Sequence, residues 1–227
     1  MARPRTDDSA ARAKISAAGE ELFAARGYAG TAVRDIAEKA GVNGAMIHYY
    51  FRSKEGLYRA ILESAASRVR EMLVETTGGD LSTKDRLARF VEAYAAYILS
   101  HPNLARILYR EMLAGGGRLI KVAQKYAVTN YTILRETMAE GVRRGELRKI
   151  DIDLAPISLM GMVVVFQLVR PIIAVVLGEG KYDERFIKRL SVHTVDLFLN
   201  GAAGFSNTDN GSRKDKNPAR RRAKVIS

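Results

Sequence analysis

The stretch VRDIAEKA (33–40), GVN (41–43), GAMIHYYF (44–51) decides the fold. Val33, Ile36, Ala37 and Ala40 recur at i, i+3, i+4 and i+7, which makes one apolar face on a short helix. Gly41 stands where that helix should end, because a residue without Cβ takes positive φ at least cost. Val42 can fill the corner, and the Asn43 side chain can accept from the first free N–H groups of the next helix. In that next helix Ile47, Tyr50 and Phe51 share a face (i, i+3, i+4) and are expected inside. Gly44, Ala45, Met46, His48 and Tyr49 are left on the outer side or its borders. Two short helices joined by so tight a turn form a helix-turn-helix, whose second member can enter a DNA major groove while the first braces it.

The flanking residues extend this unit. Asp8 or Ser9 can cap a first helix with Ile15, Ala18, Leu22 and Phe23 on one stripe, stopped by Gly27. Thr31 is the expected N-cap of the second helix. Ser53 is expected to cap a fourth, which carries Leu57, Tyr58, Ile61 and Leu62. The predicted DNA-contacting set is Thr31, Arg34, Asn43, Gly44, Ala45, Met46, His48, Tyr49 and Lys54. Ala45 and Met46 suit thymine methyls, His48 and Tyr49 can donate to phosphates or base edges, and Lys54 can hold a phosphate. Arg3 and Arg5 are expected to act as a flexible arm.

The rest of the chain also shows helical period and no two-residue alternation, so the fold class is all-α. Helices are predicted over 81–100, 103–113, 118–144, 154–177 and 183–200. His101-Pro102, Gly115–Gly117, Gly145 and Gly178 separate them. Three units are expected: a head at 10–55, a helical body at 56–201, and a disordered basic tail at 202–227. The apolar run 154–177 has the length of a membrane span. Gln167, Arg170 and Pro171 within it favour a helix buried among other helices, and no membrane partner is expected.

The 227 residues carry a net charge of +12. Residues 202–227 hold seven positive and two negative charges, the densest basic segment. Such a balance attracts polyanions. The absence of cysteine excludes disulfides, thiol catalysis and Cys-ligated zinc, and suits a cytoplasmic setting. His48, His101 and His193 have no metal-ligand spacing, and no phosphate loop or nucleophile elbow is present. No cofactor, metal or catalytic residue is therefore expected. A helical enzyme or small-molecule carrier would need a convergent set of titratable groups that the sequence lacks. An architectural DNA binder, with a steep salt dependence governed by the tail, remains open at this point.

Gly27-Tyr28, Thr31, Val33 to Ala37, Ala40 to Val42, His48 to Phe51 and Ser53 to Glu55 together resemble the head of the TetR (tetracycline-repressor-like) family. His48 and Tyr49 stand where that family more often has Tyr and His, and Ala45 where it often has Gly. The resemblance implies a one-component transcriptional regulator with a larger helical domain. That domain would bind a small effector and form a homodimer through its last two long helices. The expected function is repression from a palindromic operator on double-stranded DNA, relieved by the effector. Candidate effector contacts are Tyr94, Tyr97, Tyr109, Met112, Tyr131, Phe166, Gln167 and Arg170. For Arg170 a structural pairing with an acidic residue across the dimer and contact with an acidic effector both stay open.

Overall fold

The computed structural model describes residues 5–178 and 182–201. Arg3 of the expected arm and the basic tail at 202–227 lie outside the described residues. The head consists of α1 (Arg5–Arg26), α2 (Val33–Ala40), α3 (Gly44–Phe51) and the first turns of α4 (Lys54–Thr77). The body adds α5 (Thr83–Ser100), α6 (Pro102–Leu113), α7 (Gly117–Val122), α8 (Val128–Arg143), α9 (Ala155–Leu168), α10 (Arg170–Leu177) and α11 (Glu184–Asn200). Among the described residues there is no strand, as the missing alternation predicts.

The head core gathers Ile15 and Phe23 of α1, Ile36 of α2, Ile47 of α3 and Leu57 of α4, all fully enclosed. Each such side chain contributes about 1.5–3 kcal/mol by leaving water, so a few of them fix the angle between α2 and α3. Gly41 closes α2 at φ +64°, and the Val42 N–H donates to the Ala37 carbonyl at 3.0 Å. Asn43 Oδ1 accepts from the Ala45 N–H at 2.9 Å, and Ser53 Oγ from the Gly56 N–H at 3.0 Å.

Two local expectations are corrected. Helix α1 begins at Arg5, ahead of Asp8 and Ser9, so Arg5 belongs to a helix rather than to an extended arm. The N-cap of α2 is Ala32, without a side-chain bond. The Thr31 hydroxyl turns inward instead and donates to the carbonyls of Gly27 (2.8 Å) and Leu22 (3.2 Å).

Helix α4 continues out of the head into the body, where Val69, Met72 and Leu73 pack with Leu87, Phe90 and Val91 of α5, Leu134 and Met138 of α8, and Leu159 and Val163 of α9. Helix α11 lies along α5 and α9. The helix expected over 118–144 is interrupted by one π-helical turn, Ala123–Ala127. The apolar run 154–177 is two helices, α9 and α10, meeting at 73°. Pro171 has no N–H for the Gln167 carbonyl, and its ring crowds that carbonyl, so the run cannot continue straight. No single helix among the described residues is long and apolar enough to cross a membrane; α9 and α10 reach that length only as a bent pair.

The two cores meet at a seam. Ile107 of α6 and Val122 of α7 belong to the head's cluster, not the body's. Helices α6 and α7 therefore pack directly on α1 and α4, and any shift of that pair presses on the head.

Candidate nucleic-acid interface

Helix α3 presents the division its sequence predicts. Ile47 and Phe51 are buried, Tyr50 is half-buried, and its hydroxyl donates to the Asp8 carboxylate. Ala45, His48 and Tyr49 are exposed, Tyr49 at 74%. The Tyr49 ring stands edge-on to Tyr50, with centroids 5.0 Å apart, which holds a large aromatic outward at little entropic cost. His48 Nδ1 lies 3.1 Å from the Arg52 carbonyl. A carbonyl only accepts, so that bond needs its proton on Nδ1 and leaves Nε2 facing outward. Met46 is half-buried at the border, and Gly44 opens the helix with free space where a Cβ would sit. Arg34 on α2 is exposed. Asn43 is exposed, with its oxygen committed to the cap.

Two expected DNA contacts are placed elsewhere. Thr31 is 1% exposed and its hydroxyl is used internally, so its side chain cannot reach a duplex. The Lys54 ammonium donates to the carbonyls of Tyr28 and Thr31, each at 2.9 Å, and sits 4.3 Å from the Tyr28 ring centroid. It straps the α1–α2 connection to α4 instead of projecting toward a phosphate. Local spacing cannot foresee this, because the carbonyls that capture it lie more than twenty residues back in the chain.

The candidate effector residues have different surroundings. Tyr94 is buried and stacked on Phe90 at 5.5 Å, and burial raises its hydroxyl pKa well above the usual tyrosine range. Tyr97 is half-buried against His101, with ring centroids 4.4 Å apart. Gln167 is buried, and its Oε1 has no hydrogen-bond partner. The Phe166 carbonyl accepts from the Tyr182 hydroxyl at 2.7 Å. Tyr131 lies at the edge of the body, its hydroxyl donating to the Asp153 carbonyl at 3.1 Å. Tyr109 and Met112 are 41% and 55% exposed, because α6 turns Leu104, Ile107 and Glu111 inward. Neither can line an interior cavity of this chain. The Arg170 guanidinium stacks 4.6 Å from the Tyr182 ring centroid. Within its own chain it therefore packs on an aromatic face.

With this geometry in place, two family models match the chain. One, described as bacterial regulatory proteins of the tetR family, covers residues 15–61. The other, described as a tetracyclin repressor-like C-terminal domain, covers residues 80–167. The chain belongs to the tetR family. Like the family, it is a helix-turn-helix transcriptional regulator; the family and the relatives below are regulators, not enzymes.

Among tetR-family relatives, the probable HTH-type transcriptional regulator YttP of Bacillus subtilis is 27% identical over 186 residues, spanning 77% of this chain and 86% of its own. The regulatory protein RaaS of Mycobacterium tuberculosis is 33% identical over 63% of each chain. The fold matches the crystal structure of FadR from Bacillus subtilis in complex with stearoyl-CoA, with a TM-score of 0.69 and 23% identity over 84% of this chain and 99% of that one. The N-terminal tetR match spans the whole outer stripe of α3, while the C-terminal match ends at Gln167, before Arg170.

Proposed function

We propose that this tetR-family regulator is a cytoplasmic repressor that binds a palindromic operator as a homodimer and leaves it when a small molecule enters the helical body. The observation that carries the reading is the outward stripe of α3, with Ala45, His48 and Tyr49 exposed on a helix whose other face is locked into the head core. The contact set is Arg34, Asn43, Gly44, Ala45, Met46, His48 and Tyr49. The working division is a head at 10–55 and a body at 56–201, with α4 running through the boundary and joining both cores. Replacing Tyr49 with alanine removes a ring that is 74% exposed and touches the fold at the edge of Tyr50. Operator affinity is expected to fall by roughly 1–3 kcal/mol with the melting temperature unchanged. Fluorescence anisotropy at fixed salt measures it, and full affinity in the folded variant takes Tyr49 out of the site.

A palindrome needs a two-fold partner, since each head reads one half-site and the two must lie about 34–36 Å apart or a multiple of it. Ile157 and Leu168 of α9, Ile172, Val175 and Val176 of α10, and Val192 of α11 are exposed apolar residues. Val175 and Val176 are 83% and 72% exposed in the single chain, more apolar surface than a helix end leaves in water without a use. The variant Val176→Glu places a charge in that surface and is expected to weaken dimerisation roughly tenfold to a hundredfold. Analytical ultracentrifugation across a dilution series decides it; an unchanged dimer constant moves the interface elsewhere.

For the effector, the contact taken is the buried orphan acceptor on Gln167, with Tyr94 and Tyr97 on the adjoining α5. A buried carbonyl oxygen without a donor invites a ligand that supplies one. Footprinting with the purified dimer and a panel of metabolites tests the release step. The panel includes stearoyl-CoA, the molecule held in the Bacillus subtilis FadR structure.

A further inference from the structure

At the C-terminal end of α3, against its half-buried Tyr50 and buried Phe51, lies a pocket of about 270 Å³ that the recognition residues do not account for. Arg12 of α1, Arg52 and Ser53 of the α3–α4 turn, and Arg59 and Glu63 of α4 line it. Three guanidinium groups thus face one carboxylate. That carboxylate, Glu63, is itself directed to Lys125 at 3.8 Å. Among the described residues no carboxylate lies within ion-pair distance of Arg12, Arg52 or Arg59. Arg12 is held with its guanidinium carbon 5.6 Å from the Phe51 ring centroid. Asp8, which accepts from the hydroxyl of the lining residue Tyr50, is not among the residues that line the pocket. Ser53 Oγ accepts from the Gly56 N–H, which leaves its own proton to donate.

The backbone adds a second, independent mark. Arg52 has φ +64° and is the only non-glycine residue with positive φ among the described residues. The position after a helix that ends this way is ordinarily glycine, because a Cβ is strained there. Here an arginine occupies it. Arg52 is exposed and stands directly after the last residue of α3. A side chain kept at a strained position, at the end of the helix that meets DNA, calls for a partner of its own.

We propose that this arginine pocket grips a phosphodiester of the DNA backbone at the edge of the major groove that α3 enters. The proposal rests on the DNA-binding reading above and extends it from base contact to backbone anchoring. Eight residues of helix span about 12 Å, close to the roughly 12 Å width of the groove. With the first turns of α3 against base edges, its last turn reaches the groove wall, where the phosphates run. Planar guanidinium forks suit phosphate oxygens, and converging from α1, α4 and the turn between α3 and α4 they fix the angle at which α3 enters.

The test is the salt dependence of DNA binding by the full-length dimer, for the wild type and for Arg12→Gln, Arg59→Gln and Arg52→Gly. Each lost phosphate contact is expected to make the slope of log affinity against log salt shallower by about 0.9, so by about 1.8 for a substitution carried by both protomers. Operator and unrelated duplex should weaken together, roughly tenfold, so their ratio is preserved. Arg52→Gly should at the same time raise the melting temperature by about 2–4 °C, since strain is relieved. Unchanged slopes in folded variants would overturn the contact. Saturable binding of inorganic phosphate to the DNA-free dimer, with slopes unchanged, would assign the pocket to a soluble phosphorylated ligand and equally overturn it. Failure of the underlying reading looks different, because the wild type itself would then show no operator preference.

Discussion

Replacing Gly56 by alanine is expected to destabilise the head by about 2–4 kcal/mol and to abolish specific DNA binding while leaving the body folded. Gly56 sits in the first turn of α4, where Ser53 caps its N–H. An ideal Cβ there would fall 1.9 Å from the Phe51 carbonyl oxygen and 3.1 Å from the Phe51 carbonyl carbon. The obstacle is backbone, so no rotamer change can clear it. Relief requires the α3–α4 turn to open, and that turn holds Phe51 in the core and α3 at its angle. Differential scanning calorimetry and anisotropy measure the two effects. Gly44→Ala is the stability control: nothing lies within 4 Å of a Cβ at that position, and alanine is the better helix former, so its melting temperature should hold or rise slightly. If Gly56→Ala melts with the wild type and keeps its affinity, the turn is more pliant than its geometry implies.

How far the sequence can be read here depends on how local the signal is. Gly41, Asn43 and Ser53 each act on atoms within a few residues, and each takes the place its type predicts. Ile47 and Phe51 follow from period alone. Thr31 was legible as a polar residue before a helix, but the choice between capping α2 and bonding back to Leu22 and Gly27 depends on how α1 lies against it. Lys54 was legible as a cation at a helix start, yet Tyr28 and Thr31 capture it through a contact that only folding creates. Arg170 on Tyr182 and the π-helical turn at 123–127 are of the same kind. The arginine pocket draws one residue from each of three elements and carries no spacing signature. Its single legible trace is Arg52, which stands directly after α3 where a glycine would be ordinary. Glu111 was also there to be noticed, as an acid seven residues beyond Leu104 on the apolar stripe of α6.

That buried glutamate leads to the second large effect: Glu111→Ala is expected to cost about 3 kcal/mol of stability and to loosen the joint between head and body. Glu111 is 4% exposed, and an ionised group so enclosed persists only when its oxygens are satisfied. One oxygen accepts from the Tyr58 hydroxyl at 3.1 Å, the other from the Arg118 N–H at 3.0 Å, and the Arg118 guanidinium approaches to 3.6 Å. Arg118 in turn lies 3.9 Å from the ring centroid of Tyr28, the residue whose carbonyl Lys54 also holds. Burial first, and the Glu111 charge second, push the Tyr58 hydroxyl pKa far above the usual tyrosine range, so Tyr58 remains a donor at every pH where the protein is studied. Alanine at 111 strands that buried donor and opens a void. Glutamine keeps an acceptor without the charge and should cost about 1 kcal/mol, near the value of an ordinary hydrogen bond. The pair Glu111→Ala and Tyr58→Phe should be strongly non-additive, since the second change removes the donor that the first one strands. Urea titration of the four proteins measures this, and additive losses would mean that the carboxylate and the hydroxyl act separately. The same knot ties α6 and α7 to α1 and α4 exactly where their side chains enter the head core, so a body whose shape changes with a ligand moves the head through it. Glu111→Ala should therefore bind operator with a reduced response to whichever molecule releases the wild type. A variant that loses stability but keeps its full response would confine Glu111 to holding the fold.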